Sequence, residues 1–220
     1  TQGSFNIEAA FVINDNNKSL EQELLLPGNE TILLNFEPLG GKNLEKESYP
    51  ENGGYGSNYI QWIVNVNTIM EDLGSQGKEF KDVITNNHKY DPDSLSVVRY
   101  KVDANGNQMD KEDITNSYIN NIDSSSSEFT LNLKDRYAYE IKYKTIPEDT
   151  DESQQALNNN AVFNGESINE STTVTYPDPL IKTYTREGET TNWEVRVNGN
   201  RKNLSHGTTI TDKWDSGSHI

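Results

Sequence analysis

Apolar and polar residues alternate along most of this chain, which is the pattern of strands with one buried face. The clearest segments are 62–67 and 193–198, two copies of the phrase Trp-x-Val-x-Val-Asn. The runs 128–133, 137–145 and 172–176 alternate in the same way. Apolar residues at the 3.6-residue period of a helix do not occur in a run of useful length. The sequence therefore predicts an all-β fold.

The repeated phrase indicates how the chain is organised. Each copy is followed by a polar stretch and a short strand, Ile84-Thr85-Asn86 in the first and Ile210-Thr211-Asp212 in the second. Pro177 and Pro179 cannot continue a central strand and mark a boundary. We predict β-sandwich domains in tandem, with these units: an N-terminal β segment or small β domain at 1–47, a linker or loop at 48–58, a complete domain at 59–177, and at 178–220 either the first strands of a truncated further domain or strands that dock onto the preceding ones.

Composition excludes several classes of function. The chain has no cysteine, which excludes disulfides and thiolate chemistry in this segment. A net charge of −16 repels the phosphate backbone, so we expect no nucleic-acid partner. The apolar runs are too short to span a bilayer, so we expect no membrane contact by this segment. His88, His206 and His219 lack zinc spacing, and the sequence contains no nucleophile elbow or phosphate loop. We predict no enzymatic activity, no cofactor and no metal.

The motifs, taken in order, resemble one known family. They are Lys-Thr, Trp-x-Val-x-Val-Asn, Ile-Thr-Asp, Tyr-x-Val-Asp-x-Asn-Gly-Asn, Tyr-x-Ile-x-Tyr-x-Thr and Asn-x-Ala. This set resembles the immunoglobulin-like domains of collagen-adhesin-type surface proteins of Gram-positive bacteria. The resemblance implies an extracellular, cell-wall-anchored adhesin that binds a host extracellular-matrix protein of the collagen or fibrinogen class.

Many members of that family carry an internal amide bond between a lysine and an asparagine, promoted by a neighbouring acid. A buried lysine is driven toward its neutral, nucleophilic form by desolvation, and a protonated acid polarises the carboxamide. The resemblance implies that Lys182 and Asp212 are the lysine and acid of the second unit, and that Asn160 is the reactive asparagine of the first. Asn86 stands at the acid position of the first unit and cannot act as an acid. We therefore expect the first unit to lack the bond and this segment to lose no ammonia.

The ligand, in the family, lies in a trench on one sheet or between adjacent domains. Aromatic candidates for a trench are Tyr137, Tyr139 and Tyr143, which would share one strand face, together with Tyr55 and Tyr59. Core packing is the alternative for the first three. The loop 52–59 and the linker around Pro177 would border a cleft. Two other functions remain open, a stalk or spacer without a ligand and a carbohydrate-binding module.

Overall fold

The chain is built from antiparallel strands joined by turns. A computed structural model describes residues 19–26, 28–85, 87–134, 136–148, 152–200, 202 and 204–213. The strands are Glu21–Leu25 (β1), Thr31–Asn35 (β2), Leu44–Pro50 (β3), Ile60–Val66 (β4), Lys78–Thr85 (β5), His88–Val102 (β6), Gln108–Asp113 (β7), Glu128–Leu133 (β8), Ala138–Pro147 (β9), Gln154–Phe163 (β10), Glu166–Thr175 (β11), Leu180–Glu187 (β12) and Thr190–Val197 (β13). Three short 3₁₀ turns complete the described elements, among which there is no α-helix. The prediction of an all-β fold is confirmed.

Two sheets form the body of the molecule. One has five strands in the order β3-β4-β9-β6-β7, and the other has four in the order β11-β10-β5-β8. Their facing side chains share one hydrophobic core, as in an immunoglobulin-like sandwich. Strands β1 and β2 form a separate hairpin before the sandwich, and β12 and β13 form another after it.

Alternation along β4 shows why these residues fold as they do. Its inward residues Ile60, Trp62, Val64 and Val66 are fully buried, while the residues between them are partly exposed. Each large apolar side chain buried in this way stabilises the fold by about 1.5–3 kcal/mol. The first Trp-x-Val-x-Val-Asn phrase is therefore a central core strand.

The sandwich begins earlier in the chain than the predicted boundary at residue 59. Strand β3 pairs with β4 along its whole length, from Leu44 opposite Val66 to Pro50 opposite Ile60. It lies inside the segment that we had divided between an N-terminal unit and a linker. Its burial alternates at Leu44 and Lys46, so it contributes to the core rather than connecting domains. The other predicted boundaries stay predictions, and residues 1–18 lie outside the described part.

The second copy of the Trp phrase lies in a different environment. Strands β12 and β13 pair only with each other among the described residues, and most of their side chains are exposed. Tyr184 and Trp193 face each other on this hairpin with ring centroids 5.2 Å apart. The repeat thus describes two strands of similar local shape and unequal burial.

Candidate functional site

The lysine and acid predicted for the second unit do meet. Lys182 on β12 places its Nζ 2.6 Å from Asp212 Oδ1 and 4.5 Å from the ring centroid of Trp193. Both charged side chains remain in part exposed to solvent. Asn160 is not at this site. It lies on β10, where its Oδ1 accepts a hydrogen bond from Ser167 Oγ at 2.9 Å.

A second lysine and acid meet inside the sandwich. Lys46 on β3 donates to Asp82 Oδ2 on β5 at 2.5 Å, and neither side chain has any exposed surface. Tyr143 on β9 donates to the same oxygen at 2.5 Å. Asn159 on β10 is fully buried and donates from Nδ2 to Tyr143 Oη at 2.9 Å. An amine, a carboxyl and a carboxamide therefore converge in the core.

Strand register brings these groups together. Asp82 pairs with Ala161 and Ile84 pairs with Asn159, so the carboxyl and the carboxamide are diagonal neighbours on the inner face of one sheet. Lys46 projects inward from the edge of the opposite sheet. The cluster therefore links the two sheets across the sandwich. A cross-link between the two sheets would require this placement.

Aromatic rings enclose the cluster. Lys46 Nζ lies 5.3 Å from the ring centroid of Trp62 and 5.8 Å from that of Tyr143. Tyr90 Oη donates to Asp82 Oδ1 at 2.8 Å, so each carboxyl oxygen accepts from one tyrosine. Burial lowers the pKa of Lys46, and the nearby Asp82 opposes that effect. An amine in this setting is closer to its neutral, nucleophilic state than an exposed lysine.

One buried atom of the cluster is unsatisfied. Asn159 Oδ1 has no hydrogen-bond partner among the described residues, although its side chain is inaccessible to solvent. Such an atom costs about 1–3 kcal/mol relative to a satisfied one. Unsatisfied buried polar atoms are rare in folded proteins and mark strained or reactive positions. The buried carboxamide of Asn159 therefore keeps one acceptor unpaired, at a cost in stability.

Sequence reasoning missed Lys46, Asp82 and Asn159. We had placed the acid of the first unit at Asn86, which lies outside the described residues, and concluded that no acid was available. The structure corrects that interpretation, because Asp82 is the buried acid on β5. On β10 the inward-facing side chain is that of Asn159, the neighbour of the predicted Asn160.

A buried histidine lies beside this cluster. His88 Nδ1 is 2.9 Å from Thr145 Oγ1, and Nε2 is 3.1 Å from the carbonyl oxygen of Asn158. Thr145 Oγ1 also accepts from Trp62 Nε1 at 2.8 Å. These contacts suit a neutral ring that donates from Nε2 and accepts at Nδ1. Desolvation lowers the pKa of His88, against the opposing effect of the Asn158 carbonyl.

We expect His88 to make the protein less stable in mild acid. Its pKa is lower in the folded state than in the unfolded chain, so the unfolded chain binds the proton first as the pH falls. The contribution of neutral His88 to the free energy of unfolding is fully present above about pH 6.5. Below that pH the contribution falls by up to about 1.4 kcal/mol per pH unit. Urea unfolding between pH 7.5 and 5 should show a shallower dependence in H88Q. H206Q, at an exposed histidine, is the matched control. An H88Q slope equal to that of the unchanged protein would contradict this assignment.

The predicted aromatic trench is wrong for two of its residues. Tyr139 and Tyr143 are buried, at 1% and 0% exposure, because the strand face they share is the core face. Tyr137 lies nearer the surface, with Arg99 and Lys101 over its ring at 4.5 and 4.1 Å. Tyr59 lies under Lys144 and Tyr55 is exposed. The described surface thus offers cation–aromatic pairs at Tyr137 and Tyr59 rather than an open row of tyrosines.

A cleft of about 890 Å³ separates the β1–β2 hairpin from one end of the sandwich. Its lining mixes exposed apolar side chains with charged ones. The lining includes Leu33, Met109, Lys101, Arg136 and Glu21. Arg136 reaches across the cleft to within 3.5 Å of Glu21. The loop 52–59 does not line it. That loop instead contacts the chain near Pro177, where Gly56 donates to the Thr175 carbonyl oxygen.

The described residues contain no helix long and apolar enough to cross a membrane. Within the same residues, no group of three histidine or carboxylate side chains is placed to hold a metal ion.

These features define an immunoglobulin-like β-sandwich with a buried lysine–acid–asparagine cluster. The family model of the collagen-binding domain matches residues 52–173, more than half of the chain, and the chain belongs to this family. The resemblance to collagen adhesins is thereby confirmed. The family is one of binding domains, which also confirms the prediction that the chain is not an enzyme.

Solved structures with a similar fold include three adhesins. The collagen adhesin of Staphylococcus aureus matches with a TM-score of 0.44 and 15% identity, over 78% of this chain and 57% of that one. The collagen-binding domain of a Staphylococcus aureus adhesin matches with a TM-score of 0.41 and 16% identity, over 62% of this chain and 99% of that one. The collagen-binding domain of the Erysipelothrix rhusiopathiae surface protein RspB matches with a TM-score of 0.43 and 16% identity, over 70% of this chain and 55% of that one. The chain thus spans little more than half of the first and third of these chains. No curated protein matches.

Proposed function

We propose that this chain is the ligand-binding region of an extracellular adhesin, anchored to the cell wall of a Gram-positive bacterium, and that it binds collagen. The observation that carries the proposal is the collagen-binding family model over residues 52–173. The structures similar in fold include collagen-binding domains of bacterial surface proteins. The host partner is an extracellular-matrix protein.

The cleft beside the β1–β2 hairpin is the candidate ligand site. Leu33 and Met109 expose 53% and 40% of their surface there, beside the charges of Lys101 and Arg136. Exposed apolar side chains rimmed by charges are typical of protein interaction sites. An extended protein ligand can contact both kinds of side chain along the cleft, which favours a matrix protein over a small apolar molecule.

Binding of the full chain to immobilised collagen, fibrinogen and fibronectin tests this function. We expect collagen to bind and M109K to weaken it at least about tenfold, or by more than about 1.4 kcal/mol, because the added charge lies beside the like charges of Lys101 and Arg136 and must be desolvated with them. I119K is the matched control, since Ile119 is similarly exposed but does not line the cleft. Absence of collagen binding by the unchanged chain would overturn the function. Equal losses in both variants would overturn only the location.

We propose in addition that the cluster forms an intramolecular amide bond between Lys46 and Asn159. Lys46 gives a proton to Asp82, and the neutral Nζ attacks Cγ of Asn159. The bond from Cγ to Nδ2 breaks and ammonia leaves. Convergence of the three buried groups and the unsatisfied Asn159 Oδ1 support this reaction. Our sequence-based expectation had denied the first unit such a bond.

Intact mass decides whether the bond forms. One closed bond lowers the mass by about 17 Da, the mass of one ammonia, by the stoichiometry of amide exchange. We expect this loss in the full chain, and peptide mapping should find residues 46 and 159 in one cross-linked peptide. K182A should show the same loss, because Lys182 lies on β12 and is not one of the residues of the Lys46–Asn159 cluster. A full chain at its sequence mass would contradict the proposal.

A further inference from the structure

Tyr143 occupies the centre of the buried cluster. Its hydroxyl oxygen accepts from Lys46 Nζ at 3.1 Å and from Asn159 Nδ2 at 2.9 Å, and it donates to Asp82 Oδ2 at 2.5 Å. It thus contacts the attacking nitrogen, the departing nitrogen and the acid at once. Its side chain is fully buried between the two sheets. A phenol held this way does more than fill core volume.

We infer that the Tyr143 hydroxyl is a catalytic proton relay that carries a proton from Asp82 to the departing nitrogen of Asn159. This inference rests on the proposed amide bond between Lys46 and Asn159. The need for a relay follows from the contacts. An amide nitrogen leaves as ammonia only after it gains a proton. Tyr143 Oη lies within hydrogen-bond distance of Asn159 Nδ2, and Asp82 Oδ2 lies on the other side of that hydroxyl.

The proton balance closes through this hydroxyl. Lys46 first gives one proton to Asp82, and its neutral Nζ then bonds to Cγ of Asn159. Tyr143 passes its hydroxyl proton to Nδ2 and takes the proton of Asp82. Nζ, which carries one proton too many after attack, returns one to Asp82. The Cγ–Nδ2 bond breaks and ammonia departs, with Tyr143 restored. One amine and one carboxamide thus give one secondary amide and one ammonia.

Tyr90 provides a matched comparison. Its hydroxyl donates to the other oxygen of Asp82, at 2.8 Å. Both rings are fully buried, and both pack edge-on against Phe129 at 5.1 Å. Tyr90 therefore shares the acid and the packing with Tyr143, but its hydroxyl donates to Asp82 Oδ1 and not to a reacting nitrogen. Removal of either hydroxyl perturbs Asp82, whereas only removal of the Tyr143 hydroxyl breaks the relay.

The test follows bond formation in time. The full chain is isolated unfolded from inclusion bodies and refolded, and the loss of about 17 Da is followed by intact mass. We expect Y143F to slow the reaction by at least about a hundredfold and Y90F by less than about tenfold, as the loss of one proton-transfer group predicts. The unchanged chain should show a larger solvent deuterium isotope effect than Y143F. A residue with a purely structural role would not alter that isotope effect.

The outcomes separate the two proposals. No mass loss in the unchanged chain overturns the amide bond, and the relay with it. Mass loss at the same rate in Y143F overturns the relay alone. If near-ultraviolet circular dichroism shows that Y143F does not refold, 3-fluorotyrosine at position 143 replaces it, because it keeps the shape and makes the hydroxyl more acidic. That replacement should shift the pH dependence of the rate, and an unshifted profile overturns the relay.

Discussion

Lys46→Ala should leave the chain at its sequence mass and lower its free energy of unfolding by at least about 3 kcal/mol. Alanine removes a bond that would close a loop of roughly 110 residues, for which chain entropy predicts about 4–5 kcal/mol. In a chain whose bond has not closed, alanine instead leaves Asp82 buried without its cation, a change that costs about 3–5 kcal/mol in other proteins. The two costs are alternatives and do not add, because the closed amide is neutral.

The matched control for Lys46→Ala is Lys182→Ala. Both lysines pair with an aspartate and lie over a tryptophan ring. Lys182 is 35% exposed, however, and exposed ion pairs contribute about 1 kcal/mol or less. Urea unfolding and intact mass of both variants make the comparison. An unfolding free energy for K46A within about 1 kcal/mol of the unchanged chain would contradict the structural role of the cluster.

Strands β4, β8 and β9 were predictable because alternation alone defines them, whereas β3, which lies across the predicted N-terminal unit and linker, was not. The turn between β6 and β7 depends on residues close in sequence as well, since Asp103 Oδ1 accepts from the backbone nitrogens of Asn105 and Asn107. Such contacts are local, because residues close together in the sequence make them. They specify where a strand turns but not which of its faces meets the other sheet.

We missed the acid of the cluster because we aligned the first unit incorrectly with the second. We matched Asn86 to Asp212 because each follows Ile-Thr. The structure instead matches Asp82 to Asp212, each following an apolar residue two positions earlier and each paired with a lysine. The Lys46–Asp82 and Lys182–Asp212 pairs are separated by 36 and 30 residues. The sequence did contain a signal for this pair. In each unit a lysine and an aspartate lie at similar spacing, with a tryptophan between them.

The asparagine was beyond sequence reasoning for a different reason. Residues 158, 159 and 160 are all asparagine, so residue type cannot choose among them. Asn159 alone is fully buried, because the inward positions of β10 are the odd-numbered ones from 155 to 163. A shift of one residue would turn a different asparagine toward Lys46. Only the pairing of β10 with β5 decides this.

Trp62→Ala should destabilise the chain by about 3–5 kcal/mol, the range for a large aromatic side chain removed from a packed core. Trp62 has no exposed surface, and its Nε1 donates to Thr145 Oγ1 at 2.8 Å. Alanine would therefore leave a cavity and remove one donor from the buried network that also includes His88. Denaturant unfolding followed by far-ultraviolet circular dichroism measures the loss.

Trp193→Ala is the matched control, because Trp193 begins the second copy of the same phrase. It is 49% exposed and packs mainly against Tyr184 and Lys182 on its own hairpin. We expect a loss of less than about 1 kcal/mol, since a half-exposed side chain leaves no closed cavity. Equal losses in W62A and W193A would mean that Trp193 is as buried in solution as Trp62. A difference of several kcal/mol would establish that one sequence phrase stabilises the core in one place and only a surface hairpin in the other, so that burial rather than motif determines its energetic role.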